Sequence, residues 1–131
     1  MSPFSWEEGG EANGEPVYRR KGAGSMIRKA YVKSRKMWRV DFEVPAEELP
    51  QGMDVKSVHI AGTFNGWDKR ATPMQYNRRR KAWTARLYLA PGEEVQFRYV
   101  VNGEHWCNDW HADDYVPGEY GEDNCVIRLP M

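Results

Sequence analysis

Two cysteines, Cys107 and Cys125, and three histidines are all that the 131 residues contain of those types. Two cysteines are too few for the disulfide framework of a small secreted scaffold, so both are expected as reduced thiols in the cytoplasm. A single bridge between them stays open at this point. Net charge is also missing. Nineteen basic residues balance nineteen acidic ones, so no global field draws the chain to nucleic acid or to a membrane surface. No apolar run approaches the roughly 20 residues of a membrane span. The opening Met1-Ser2-Pro3-Phe4-Ser5-Trp6-Glu7-Glu8 is acidic and lacks the basic-then-apolar layout of a secretory signal. No internal repeat is present, and no segment carries a convincing helical period.

Aromatic residues are plentiful instead, at 13% with six tryptophans and seven tyrosines. A chain of this length makes one ordinary domain. Its single small core cannot bury so many rings, so some lie near the surface, where flat ligands or partners meet them.

Residues 1–25 hold five glycines and four glutamates with no strand or helix period, and read as a disordered tail. The binding domain is expected over 26–131. From Met37 onward the text turns to strands. Val40, Phe42 and Val44 alternate with Arg39, Asp41 and Glu43, the period of a half-buried strand. After a loop with two prolines and a glycine, 55–62 reads as a second strand, followed by a turn at Thr63-Phe64-Asn65-Gly66-Trp67-Asp68. Residues 72–77 form a short strand, and Arg78-Arg79-Arg80 a solvated turn. Trp83, Ala85, Leu87 and Leu89 alternate with polar neighbours, as do Val95, Phe97, Tyr99 and Val101. Asn102-Gly103 is a hairpin signal leading to Glu104-His105-Trp106. A long loop, 108–123, precedes a last strand over 124–129. About seven short strands with turn chemistry every eight to twelve residues predict an all-β, immunoglobulin-like antiparallel sandwich.

The aromatics beside turns carry the most information. A pyranose ring has an apolar C–H face and a rim of hydroxyls. Its binding in water wants a flat aromatic platform, burying C–H surface at about 25 cal/mol per Å². Beside the platform it wants planar donors and acceptors. Trp67 and Trp106 are the candidate platforms, with Arg98 and Asn124 as polar partners. The competing reading makes both tryptophans caps on the ends of the sandwich core.

Other chemistries fit less well. His105, Cys107, His111 and Cys125 are ligand types that zinc uses, but their spacing matches no common zinc pattern. The carboxylates Asp109, Asp113, Asp114, Glu119, Glu122 and Asp123 lack the ligand alternation of a calcium loop and read as an acidic edge. Glycoside hydrolysis needs two carboxylates across a cleft, and nothing here implies a cleft. No Ser-His-Asp or Cys-His arrangement is visible. No metal, no cofactor and no enzyme activity are expected. The runs Arg35-Lys36 and Arg78-Arg79-Arg80-Lys81 read as solvated charge rather than a phosphate grip.

Four motifs occur in order between Met26 and Leu129: Val58-His59-Ile60-Ala61-Gly62-Thr63-Phe64-Asn65-Gly66-Trp67; Leu87-Tyr88-Leu89-Ala90-Pro91-Gly92-Glu93; Phe97-Arg98-Tyr99-Val100-Val101-Asn102-Gly103-Glu104; and Gly121-Glu122-Asp123-Asn124-Cys125-Val126-Ile127. In these the chain resembles the family 48 carbohydrate-binding modules, or isoamylase early-set domains, of glycogen-branching and debranching enzymes. The glycogen-binding domain of the AMP-activated protein kinase beta subunit is of the same type. It looks closest to free-standing bacterial versions, which share Asn108-Asp109-Trp110 and Asp114-Tyr115-Val116-Pro117. The resemblance implies non-catalytic binding of α-1,4/α-1,6-glucan, with Trp67 and Trp106 stacking on glucose. It puts Arg98 where the kinase-type domain has lysine, Asn124 at a hydroxyl-binding asparagine, and Tyr120 at an apolar residue that meets the glucan. Glu122 replaces a threonine, and His105 is inserted before Trp106. The alternative expectation is a structural or protein-interaction module that docks on a glycogen-metabolising enzyme through the same aromatics.

Overall fold

A computed structural model describes the backbone of residues 6–12, 15–20, 26–119 and 121–131, and side chains from 26 onward except Tyr120. Among the described residues the only helical turns are two short 3-10 segments; everything else regular is strand. Within 1–25, β1 (Trp6–Ala12) and β2 (Glu15–Arg20) pair antiparallel.

The sandwich is built from two antiparallel sheets. The four-stranded sheet runs in the order β3 (Met26–Val32), β4 (Met37–Pro45), β7 (Ala82–Leu89), β6 (Gln75–Asn77). The five-stranded sheet runs β10 (Asp114–Pro117), β11 (Asp123–Arg128), β8 (Glu94–Val101), β5 (Val58–Gly62), with β9 (His105–Cys107) also paired to β8. β11 and β9 share one edge of β8 end to end: Cys125 faces Phe97 and Cys107 faces Tyr99. All seven strands expected from the sequence are present. Within the sandwich β3 and β10 are additional, and β1 and β2 fall in the stretch whose sequence shows no strand period. β3 offers the core only Ile27, Lys29 and Tyr31 from its inward positions, and β10 is a four-residue edge strand ending in proline, so neither carries a clean period-2 pattern.

The alternating apolar residues meet between the sheets. Val40, Phe42 and Val44 from β4 pack against Val58, Ile60, Val95, Phe97, Tyr99, Val101, Cys125 and Ile127 from the other sheet. Phe42 and Phe97 touch edge to face across the interface, with ring centroids 5.2 Å apart. Phe97 and Tyr99 continue the cluster at 5.6 Å. Such pairs contribute about 0.5–1.5 kcal/mol beyond their burial. At the sandwich edge, Lys29 of β3 reaches over to Asp113 and to the Arg128 carbonyl, 3.1 Å away, so a lysine on the inward register still finds water and charge.

One carboxylate lies inside this core. Asp109 is 1% exposed. Its Oδ2 accepts the Tyr99 hydroxyl proton at 2.6 Å, and its Oδ1 accepts the His111 N–H at 2.7 Å. Its own N–H donates to Cys125 Sγ at 3.2 Å, and its carbonyl accepts from Tyr115 O–H at 2.6 Å. Burial, reinforced by the Asp109 charge, pushes the Tyr99 phenol well above its ordinary value. Truncating Asp109 strands a buried hydroxyl. We expect Asp109→Ala to cost about 2–3 kcal/mol, read as a lower urea midpoint at unchanged slope; a loss below about 0.5 kcal/mol would remove this bond from the account of stability.

Candidate functional site

The outer face of the five-stranded sheet follows from register. Val95, Phe97, Tyr99 and Val101 point into the core, so Gln96, Arg98 and Val100 point out. Trp106 is paired with Val100 and Ala61 with Arg98, which puts both on this face. Asn124 and Val126 flank the inward Cys125 and join them. Ala61, Val100 and Val126 are fully buried although they face outward. They make an apolar floor, closed over by their longer neighbours.

On that floor Arg98 is held from several sides. Its Nε donates to Asn108 Oδ1 at 2.7 Å, and its Nη2 to Glu122 Oε2 at 2.6 Å. Its guanidinium carbon lies 5.9 Å from the Trp106 ring centroid, at the outer reach of a cation–π contact. The Arg98 side chain is only 12% exposed while that of Glu122 is 67% exposed. The guanidinium is therefore fixed at the sheet and the carboxylate stands at the rim. Asn108 Nδ2 donates to the Asp123 carbonyl at 2.9 Å. Asn124 Nδ2 donates to Gln96 Oε1 at 3.2 Å. Arg98, Trp106, Glu122 and Asn124, four of the residues singled out from sequence, thus share one surface. Gln96 and Asn108 join them. Neither was a candidate, because an outward amide in a strand and an asparagine after one give no periodic signal; only the fold brings them to Asn124 and Arg98.

Trp67 sits off the end of β5. Its N–H donates to the Gly62 carbonyl at 2.9 Å. Gly62 tolerates no side chain, since a Cβ there would lie 2.4 Å from the Gln96 carbonyl oxygen. The 3-10 turn Thr63–Asn65 follows. Thr63 Oγ1 accepts from the Gln96 N–H at 3.3 Å, which ties this turn to the strand bearing Arg98. The turn expected at Asn65-Gly66 is present, with positive φ on Gly66 (65°) and on Trp67 (61°). Asn65 acts through its side chain: Oδ1 accepts from the Gly62 N–H at 3.0 Å, while Nδ2 donates to the Ile60 carbonyl at 2.9 Å and to Thr72 Oγ1 at 3.0 Å. A left-handed backbone costs a side-chain-bearing residue roughly 1–2 kcal/mol, and a residue as large as tryptophan adopts it only where its surroundings impose it. Trp67 and Trp106 are both half-buried. Tyr120 lies outside the described residues.

Several other charged residues have structural occupations. Asp113 pairs with Lys29 and accepts from the Arg128 N–H at 2.7 Å. Asp114 binds Arg128 at 2.6 Å, and that hydrogen bond holds its carboxyl below the ordinary range. Arg80 of the basic turn reaches back to the buried carboxylate of Glu43 at 2.9 Å. Among the described residues no three His, Cys, Asp or Glu side chains are grouped to hold a metal ion, and no helix is long and apolar enough to cross a membrane.

An outward tryptophan, a fixed guanidinium, a rim carboxylate and three carboxamides thus lie together over an apolar floor. Residues 51–129 match the family model described as the glycogen recognition site of AMP-activated protein kinase. The chain belongs to that family of glycogen-recognition modules, which are non-catalytic. Comparison with curated proteins gives no match.

Cys107 and Cys125 are free thiols. Burial pushes Cys107 from 9.0 up to about 11 and Cys125 up to about 12. Folded-state values raised in this way contribute stability that is full below the unfolded value and is lost as pH rises through the folded one. Stability to urea should therefore fall from pH 9 toward pH 12. In native protein at pH 8 the buried Cys125 should resist a disulfide reagent that labels it at once in denaturant, with the half-buried Cys107 labelled at an intermediate rate. Rapid native labelling of Cys125 would contradict its burial.

Proposed function

We propose that this chain binds α-1,4/α-1,6-linked glucan on the outer face of the five-stranded sheet, without catalysing its cleavage. The observation that carries the reading is the convergence of Trp106, Arg98, Asn124 and Glu122 on one surface. Trp106 supplies a platform for the C–H face of one glucose, and Trp67, at the end of β5, a platform for another. Arg98 donates to sugar hydroxyls. Glu122 accepts from them at the rim, and Asn124, already paired with Gln96, does both. The sheet holds the guanidinium before any ligand arrives, so little side-chain freedom is lost on binding. The left-handed strain at Trp67 is the expense of aiming an indole at the ligand from a tight turn. A reducing cytoplasm suits the two free thiols.

Titration with β-cyclodextrin and with maltoheptaose, followed by tryptophan fluorescence, tests this directly. Both should give saturable changes, and cellohexaose none. Trp106→Ala should weaken binding at least about tenfold, the effect of losing one ring face of apolar contact. Trp67→Ala should weaken it comparably while the fold survives. A wild-type protein silent to both α-glucans would leave the reading without support.

A further inference from the structure

Trp110 takes no part in the surface described above, and at 68% exposure no other tryptophan among the described residues is as open. It is not a loose loop residue. Its neighbour Asp109 is anchored in the core by Tyr99, Cys125 and Tyr115, and the His111 N–H on its other side is bound by the Asp109 carboxylate at 2.7 Å. An indole is thus displayed in water from a backbone that is fixed on both flanks. The fixed backbone removes the loop-ordering part of the cost of a binding event.

The surroundings indicate the ligand. Trp110 and Glu48 line the same narrow crevice, about 10 Å³ and no larger than a water, above the buried Val44 and Leu49, so a sugar would lie on the exposed ring outside it. The half-buried Glu48 carboxylate makes no hydrogen bond or ion pair with any described residue, so its acceptors are available. An exposed ring with an unengaged carboxylate beside it has the stacking surface and the acceptor of a sugar subsite. A protein hot spot would instead want a ring of dry apolar contacts, which charged Glu48 and polar Asn108 do not provide. Asn108 also links the two places, since its side chain holds Arg98 at 2.7 Å. Trp106 and Trp110 are four positions apart, a reach of at most about 14 Å.

We infer that Trp110 and Glu48 form a second glucose subsite at the sandwich edge, which takes a further part of the same linear glucan that occupies the main face. The inference rests on the function proposed above and extends it to a preference for open chains over compact rings.

β-Cyclodextrin and maltoheptaose contain the same glucose units, closed in one and open in the other. Trp110→Ala should weaken maltoheptaose binding about tenfold and leave β-cyclodextrin binding unchanged, with the melting temperature unaltered. Glu48→Gln should weaken only the linear ligand, and less. Trp106→Ala should weaken both. Unchanged affinity of Trp110→Ala for both ligands, or equal loss for both, overturns the second subsite while the main face stands. A wild-type protein that binds neither ligand overturns the main face and the extension together.

Discussion

The Tyr99 hydroxyl points into a core otherwise made of aliphatic and phenyl groups, and Asp109 is the group brought in to meet it. A buried phenol without an acceptor would cost about 1–3 kcal/mol. The acceptor comes from the segment that follows β9, and so the middle of the sheet is joined to its most irregular border. Much else hangs from that 2.6 Å contact. Asn108 precedes Asp109 and steadies Arg98; Trp110 follows it and is presented to solvent; Tyr115 on β10 closes over its carbonyl. Core and outer face are built from consecutive residues of one chain, with odd positions turned in and even positions turned out.

The face proposed to bind glucan is arranged electrostatically in advance. Arg98 is largely removed from water, which is tolerable for a cation only when charge and hydrogen bonds compensate it. Glu122 supplies the charge and Asn108 a neutral acceptor. The result is a surface with donors and acceptors in fixed places and almost no net field, which suits a neutral polyol better than an anion. Trp67 meets the same need for fixed geometry by different means, through a left-handed backbone that the Asn65 carboxamide braces.

Much of this was legible in the sequence, because burial writes itself as alternation. β4, β7 and β8 carry apolar residues at every second position and were read with their inward faces correct. The Asn102-Gly103 hairpin was legible for a stereochemical reason, and the two residues take φ of 54° and 76°. β3 and β10 escaped because edge strands avoid the regular pattern that would let them pair with a neighbour. Arg98, Trp106, Glu122 and Asn124 were visible as residue types in telling places. Contacts between distant segments were not: Asn108 to Arg98, Asn124 to Gln96, and Asp109 to Tyr99 each depend on strand pairing that no local window contains. Asp109 was read as part of an acidic edge, yet it is the most deeply buried carboxylate described.

The Asn-Gly pairs at 65–66 and 102–103 are chemically vulnerable sequences, since an asparagine side chain next to glycine can be attacked by the glycine nitrogen and lose its amide. Here each carboxamide is occupied. Asn65 holds Gly62, Ile60 and Thr72, while Asn102 accepts from Lys56 and Ser57 and donates to the Asp54 carbonyl at 2.9 Å. The side-chain carbon must leave those partners before it can close on the glycine. The bonds that set the turns therefore also slow the chemical ageing of the protein, and each excursion to the unfolded state reopens that route at both turns.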